Sequence, residues 1–207
     1  MNAAPASARN DKSAVVAAAM QVLDESGLPG LSMRRIADEL DVQVSALYWH
    51  FPNKQALLAA VSAHIVGSGA GVTEIDAIAR QLRDRLLAHQ DGAELVSSSL
   101  ALGLLELPAR ADLISAAREI GLAGNAAEVA ADTLVHYVIG YTFHEQQRLH
   151  AAIAGAVDAS ADVSPEGIDA PADAFEAGLA MVVAGVRVAA TPGAPTLSRR
   201  TVMGGNP

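Results

Sequence analysis

The sequence predicts an all-α chain of about nine to ten helices, and three observations carry that expectation. The 207 residues are 51% apolar but only 3% aromatic, so alanine, leucine and valine must build the core, which favours packed helices over sheets. Apolar residues recur at three- and four-residue spacing along most segments. Glycine, proline and capping residues interrupt that pattern at helix-length intervals. The absence of cysteine removes disulfides and thiolate metal sites and fits a reducing, cytoplasmic setting. MNAAPASARN lacks the apolar core of a signal peptide. No run approaches the ~18 uncharged apolar residues of a membrane span, so no membrane partner is expected.

Residues 1–10 read as a disordered tail. A helix is predicted from about Asp11 to Ser26, with Val15, Ala18, Ala19, Val22 and Leu23 inward and Gly27 ending it. Ser32 is the expected N-cap of the next helix, whose apolar face is Met33, Ile36, Ala37 and Leu40. Asp41 and Val42 turn the chain into a second short helix, about Gln43 to His50. It buries Val42, Ala46 and Leu47 and leaves Gln43, Val44 and Ser45 outward at its start. Asn53 caps a helix over about Lys54 to Val66, and Gly67, Gly69 and Gly71 mark the end of an N-terminal unit spanning 11–66.

In the second unit, 67–190, Thr73 with Asp76 reads as a capping box opening a helix to about His89, with Ile75, Ile78, Leu82 and Leu86 in register. Asp91-Gly92 starts a segment to about Leu105, and Pro108 sits near the start of a helix ending at Gly121 or Gly124. Asn125 caps a long helix to about Ile153. Residues 155–170 are small, acidic and non-periodic, hence a loop or disordered. Pro171 opens a last helix to about Ala190, with Phe175, Leu179, Val182, Val183 and Val186 on one side. Residues 191–207 read as a second disordered tail.

Two short helices at a tight turn have helix-turn-helix geometry, in which the second helix enters the DNA major groove. The motif LSMRRIADELDVQVSALYWHFPNK, with its run Leu47-Tyr48-Trp49-His50 and the pair Asn53-Lys54, resembles the DNA-binding domain of the tetracycline-repressor (TetR) family. That resemblance continues through Leu86 to Leu95, His136 with Gly140, Glu145-Gln146-Gln147, and Phe175, Gly178, Leu179, Met181, Gly185 and Val186. It implies a ligand-responsive repressor, working as a homodimer whose long and last helices form a four-helix bundle, with operator DNA and a small-molecule effector as partners. Arg34 matches a guanine-reading position, and arginine reads guanine bidentately. The Gln43 amide suits adenine and Val44 a thymine methyl. Ser45, Tyr48, His50 and Lys54 match or neighbour phosphate-contacting positions, and Trp49 is expected to divide between packing and backbone contact. The residues at Gln43, Val44 and Ser45 differ from those of the repressor, so its operator sequence is not carried over.

On the long helix, Tyr137, Tyr141, His144 and Arg148 form one stripe, and His136, Gly140, Phe143, Gln147 and His150 its neighbour. Aromatic and polar groups concentrated in an otherwise aliphatic core suit a cavity for a planar or amphipathic molecule, and equally suit ordinary dimer-interface packing. The resemblance adds Ile78, Leu82, Val96 and Ser99 as effector-facing positions and His136 as a pocket histidine. Val96 stands where the repressor has its magnesium-ligating histidine, and valine cannot ligate a metal. A metal-free, more apolar effector, polyketide-like in kind, is therefore expected, with no cofactor.

The net charge of −9 is unevenly spread. Residues 1–66 carry five basic and six acidic side chains, the remainder nine basic and seventeen acidic. Acid thus sits mainly away from the DNA-reading unit, yet that unit is no broad basic patch, and affinity must come from a few placed cations and from dimerisation. The alternative is a helical protein that binds or sequesters small molecules and whose sequence-specific DNA binding is weak or lost. An enzyme is not expected. His144 to Arg148 fails the HExxH pattern because arginine replaces its second histidine, and Ser97 to Ser99 lack a nucleophile elbow.

Overall fold

The computed structural model describes residues 11–69, 71–153 and 171–191. Both expected tails, Thr191 apart, and the loop expected at 155–170 lie outside them. The described residues form nine helices and no strand. In chain order these are α1 (Lys12–Gly30), α2 (Met33–Leu40), α3 (Val44–Tyr48), α4 (Lys54–Val66), α5 (Ile75–Leu87), α6 (Gly92–Ala101), α7 (Pro108–Glu119), α8 (Asn125–Ile153) and α9 (Pro171–Ala189).

The N-terminal unit is built by local signals that work as the sequence suggests. Asp11 Oδ1 accepts the Ala14 amide at 2.8 Å and starts α1. Val15, Ala18, Ala19, Val22 and Leu23 are buried. Gly27, at φ 65° and ψ −177°, breaks the helix, and Leu28 to Gly30 add a further turn before Leu31. Ser32 Oγ caps α2 by accepting the Arg35 amide at 3.2 Å. Its end is a Schellman motif: the Asp41 amide donates to Asp38 and the Val42 amide to Ala37, with Asp41 left-handed at φ 54°. Helix α3 holds only five residues, shorter than expected. Gln43 occupies its N-cap position without a side-chain bond, and Leu47 is its buried anchor. Asn53 Oδ1 accepts the Ala56 amide at 2.8 Å to start α4. Replacing such a cap by alanine costs about 1 kcal/mol.

One expectation for the second unit needs correction. Thr73 does not cap α5: the N-cap position is Glu74, with no side-chain bond. The helix after Pro108 ends at Gly121, the first of the two expected glycines, which at φ 107° turns the chain after Glu119. Ile75, Ile78, Leu82 and Leu86 are buried as their spacing demands. On α9, Phe175, Leu179, Val183 and Val186 are buried and Val182 half-buried.

The two units share one continuous apolar core. Helix α4 packs against α6 as well as against α1, and its carboxyl end is held by Arg85 of α5, which donates to the carbonyls of Val66 and Gly69. A second junction joins the end of α1 to the turn between α5 and α6. Asp91 is 4% exposed and left-handed at φ 56°. Its Oδ2 accepts the Leu28 amide at 2.8 Å, and His150 Nδ1 of α8 lies 3.3 Å from its Oδ1. Asp24 meets His89 Nδ1 at 3.1 Å and accepts the Gln90 amide at 3.3 Å. Gln146, buried on α8, holds the same turn from behind. It accepts the Ala93 amide and donates to the carbonyls of Leu86 and His89.

Candidate DNA-reading face and effector cavity

At the recognition end, Leu47 and Phe51 are buried, half-buried Ala46 lies between Ser45 and Leu47, and the polar residues around them stay outside. Gln43, Ser45, Tyr48 and Trp49 are exposed and His50 is half-buried. Two expectations shift. Trp49 is 89% exposed, so it has no packing role in this chain. Val44 is half-buried and rests on the core, which leaves Gln43 and Ser45 as the outward pair at the start of α3. Arg34 and Lys54 are exposed and form no ion pair among the described residues, whereas Arg35 lies 3.8 Å from Glu25. Lys12 Nζ sits 5.5 Å from the Phe51 ring centroid, tying α1 to the segment after α3.

The ten residues expected to face an effector divide among four places. Ile78, Leu82 and Val96 are fully buried core. Ser99, also buried, lies 2.8 Å from Ser62 Oγ of α4, and that hydroxyl reaches the Leu95 carbonyl at 3.3 Å. These bonds cross from α6 to α4, between the two units. Tyr137 and Tyr141 turn to α9 and enclose Phe175, with ring centroids 5.5 and 5.4 Å away. The Tyr137 hydroxyl donates to the Phe175 carbonyl at 2.8 Å. Arg83 lies 4.6 Å over the Phe175 ring and pairs with Glu145 at 2.9 Å. Burial is the leading cause that raises the Tyr137 and Tyr141 phenol pKa values above their ordinary value. Phe143 is half-buried and meets exposed His144 edge-on.

His136 and Gly140 face elsewhere. With α6, α7 and their connection they line an open cavity of about 790 Å³. Its walls are aliphatic, chiefly Leu100, Leu105, Ile114, Val135 and Ile139. Its polar lining residues are Ser97, Glu106, Arg110, Asp132 and His136. Arg110 and Asp132 are joined by two parallel bonds, Nε to Oδ1 and Nη2 to Oδ2. That pairing lowers the Asp132 pKa and raises that of Arg110. Sequence reasoning missed Glu106, Arg110, Leu105 and Ile114, which sit in and after a connection with no helical period. The proline that opens α7 was the one signal of a structured wall there.

A short exposed recognition helix, free cations beside it, and an apolar cavity reached through packed helices make up the arrangement. The description "Bacterial regulatory proteins, tetR family" matches residues 15–61, and "Tetracyclin repressor-like, C-terminal domain" matches residues 67–160. The chain is 32% identical over 191 residues to the tetracycline repressor protein class A from transposon 1721 of Escherichia coli, covering 83% of this chain and 88% of that protein. It belongs to the tetR family. Among solved structures, Mycobacterium smegmatis BioQ superposes with a TM-score of 0.75 at 40% identity, covering 86% of this chain and 97% of BioQ. BioQ with its natural double-stranded DNA operator gives a TM-score of 0.69 at 39% identity, covering 86% of this chain and 98% of that one. Streptomyces coelicolor ActR in complex with (S)-DNPA gives 0.70 at 26% identity, covering 87% and 98%.

Proposed function

We propose that this tetR-family regulator is a cytoplasmic homodimeric repressor that leaves a two-fold operator when a small molecule occupies the cavity between α6, α7 and α8. The observation that carries the DNA half is the outward set Arg34, Gln43, Ser45, Tyr48, Trp49 and Lys54 around a helix anchored by Leu47. Arg34 and Gln43 offer base-reading groups, while Ser45, Tyr48, His50 and Lys54 offer phosphate contacts. Exposed Trp49 adds a flat surface for sugar and backbone. Val44, half-buried, offers a methyl edge at most. The solved complexes of BioQ with operator DNA and of ActR with (S)-DNPA support the two binding events.

Coupling follows from α6. Ser97, Leu100 and Ala101 line the cavity, while Ser99 and Leu95 of the same helix meet Ser62 of α4. A ligand that favours a shifted α6 moves α4, and α4 carries the recognition unit. The shift in operator affinity is bounded by the ligand's differential affinity for the two states. Exposed apolar side chains on α8 (Leu149, Ile153) and α9 (Met181, Val188) supply a surface for the second copy. The test is fluorescence anisotropy of the purified protein with DNA flanking its own gene, at two salt concentrations, beside an unrelated duplex. Tight binding to one palindromic segment is expected. Equal weak binding to both duplexes favours a ligand-sequestering protein instead, a reading motivated by the sparse positive charge of residues 1–66.

A further inference from the structure

The geometry points to a ligand class for the α6–α7–α8 cavity: an amphipathic molecule with an apolar body and a hydrogen-bond-donating head, cationic amine or hydroxyl, taken without a metal ion and not as a carboxylate. This rests on the cavity being the effector site, and it adds the polarity that the site selects. The walls accept an apolar body, since Leu100, Leu105, Ile114, Val135 and Ile139 face the space. The donors in the polar lining are the Ser97 hydroxyl and the Arg110 guanidinium, whose charge is already paired. Arg110 is the lining's one cation with a fixed charge, and Asp132 already engages two of its guanidinium nitrogens. Asp132 thus neutralises the group that would otherwise clamp a carboxylate.

His136 adds an acceptor. Its Nδ1 lies 2.6 Å from the Asp132 backbone carbonyl, which can only accept, so Nδ1 carries a proton, and a ring holding that one proton presents Nε2 as an acceptor. Glu106, exposed at the cavity and without an ion pair among the described residues, supplies a free carboxylate. Counting Glu106, Arg110 and Asp132, the lining carries a net negative charge, in keeping with the chain's −9. Val96, at the position expected from the resemblance to face a metal, is fully buried among core side chains instead.

The test uses the full chain and three fluorescent probes of one shape, anthracene-methylamine, anthracene-methanol and anthracene-carboxylate, titrated by anisotropy. The amine and alcohol should bind at least about tenfold tighter than the carboxylate. Asp132→Asn frees the Arg110 charge and should narrow or reverse that order, while Glu106→Gln should weaken the amine alone. Gly140→Trp should abolish all three. A Cβ at Gly140 meets no atom within 4 Å, so the variant keeps the helix and fills the space. Tightest binding of the carboxylate, or equal binding of all three, would overturn the proposed class; if Gly140→Trp still blocks binding, the cavity stands as the site. Binding indifferent to Gly140→Trp, or no binding of any probe, overturns the cavity reading and the class with it.

Discussion

A buried glycine shows how tightly single residues specify this fold. A Cβ on Gly92 would lie 2.4 Å from the Leu86 carbonyl oxygen, the atom that Gln146 also holds. Backbone cannot swing aside as a side-chain tip can. Gly92→Ala should therefore cost about 1–3 kcal/mol, read as a fall in the denaturant midpoint. Titration adds a second residue-scale test. Tyr137 and Tyr141 have folded pKa values raised first by burial. An acid whose folded pKa is raised loses protons more readily when unfolded. Their contribution is thus intact below the ordinary tyrosine value near 10 and falls as pH rises through the folded values. Tyrosinate absorbance should show these two phenols ionising late, together with a loss of stability. At low pH the sign reverses. Asp76 and Asp132 are lowered chiefly by hydrogen bonds from Arg80 and Arg110, so their contribution is present above about pH 4 and lost as pH falls further. Both pairs are substantially exposed, so the acid effect should be well under about 1 kcal/mol each.

Among the elements, those with a buried stripe were legible in the sequence: α1 and α5 have their expected inward faces, and so does α2, with Leu40 half-buried. Thr73 misled because a threonine three residues before an aspartate resembles a cap wherever it stands, and only backbone geometry chooses Glu74. The effector-facing residues were less legible. Periodicity separated the two stripes of α8, but not which one meets α9 and which lines the cavity. That depends on where α7 and α9 dock, and their docking is tertiary. The junction of α1 with the α5–α6 turn was invisible for the same reason, since Asp91 and Leu28 are 63 positions apart. Asp91→Ala should destabilise the protein by about 1–3 kcal/mol, because it leaves the Leu28 amide without its acceptor. Asp91→Asn, which keeps an oxygen there, should be milder. Thermal melts of the two variants side by side would separate loss of the acceptor from loss of charge.

At the scale of the whole molecule, charge decides how DNA binding behaves. The recognition unit offers Arg34 and Lys54 as exposed cations with no ion pair among the described residues, so its salt dependence should be shallow for a repressor. Lys54→Ala should lower the salt slope by about one and weaken all duplexes alike. Arg34→Ala should cost about 1–3 kcal/mol at one base pair if it reads guanine. Binding isotherms on operator variants at several salt concentrations distinguish the two. The helical class and the recognition motif were readable because composition and local spacing specify them. The path from cavity to α4 was not, because it runs through Ser62, Ser99 and Leu95, residues ordinary in type and brought together only by the fold.

The Leu28 amide is held across the junction by Asp91. Its exchange with solvent deuterium should accordingly time the parting of the two units rather than the fraying of a helix. Followed with and without effector, that one proton would serve as a clock: if the ligand loosens the junction, its exchange quickens while the amides buried in α8 keep their pace.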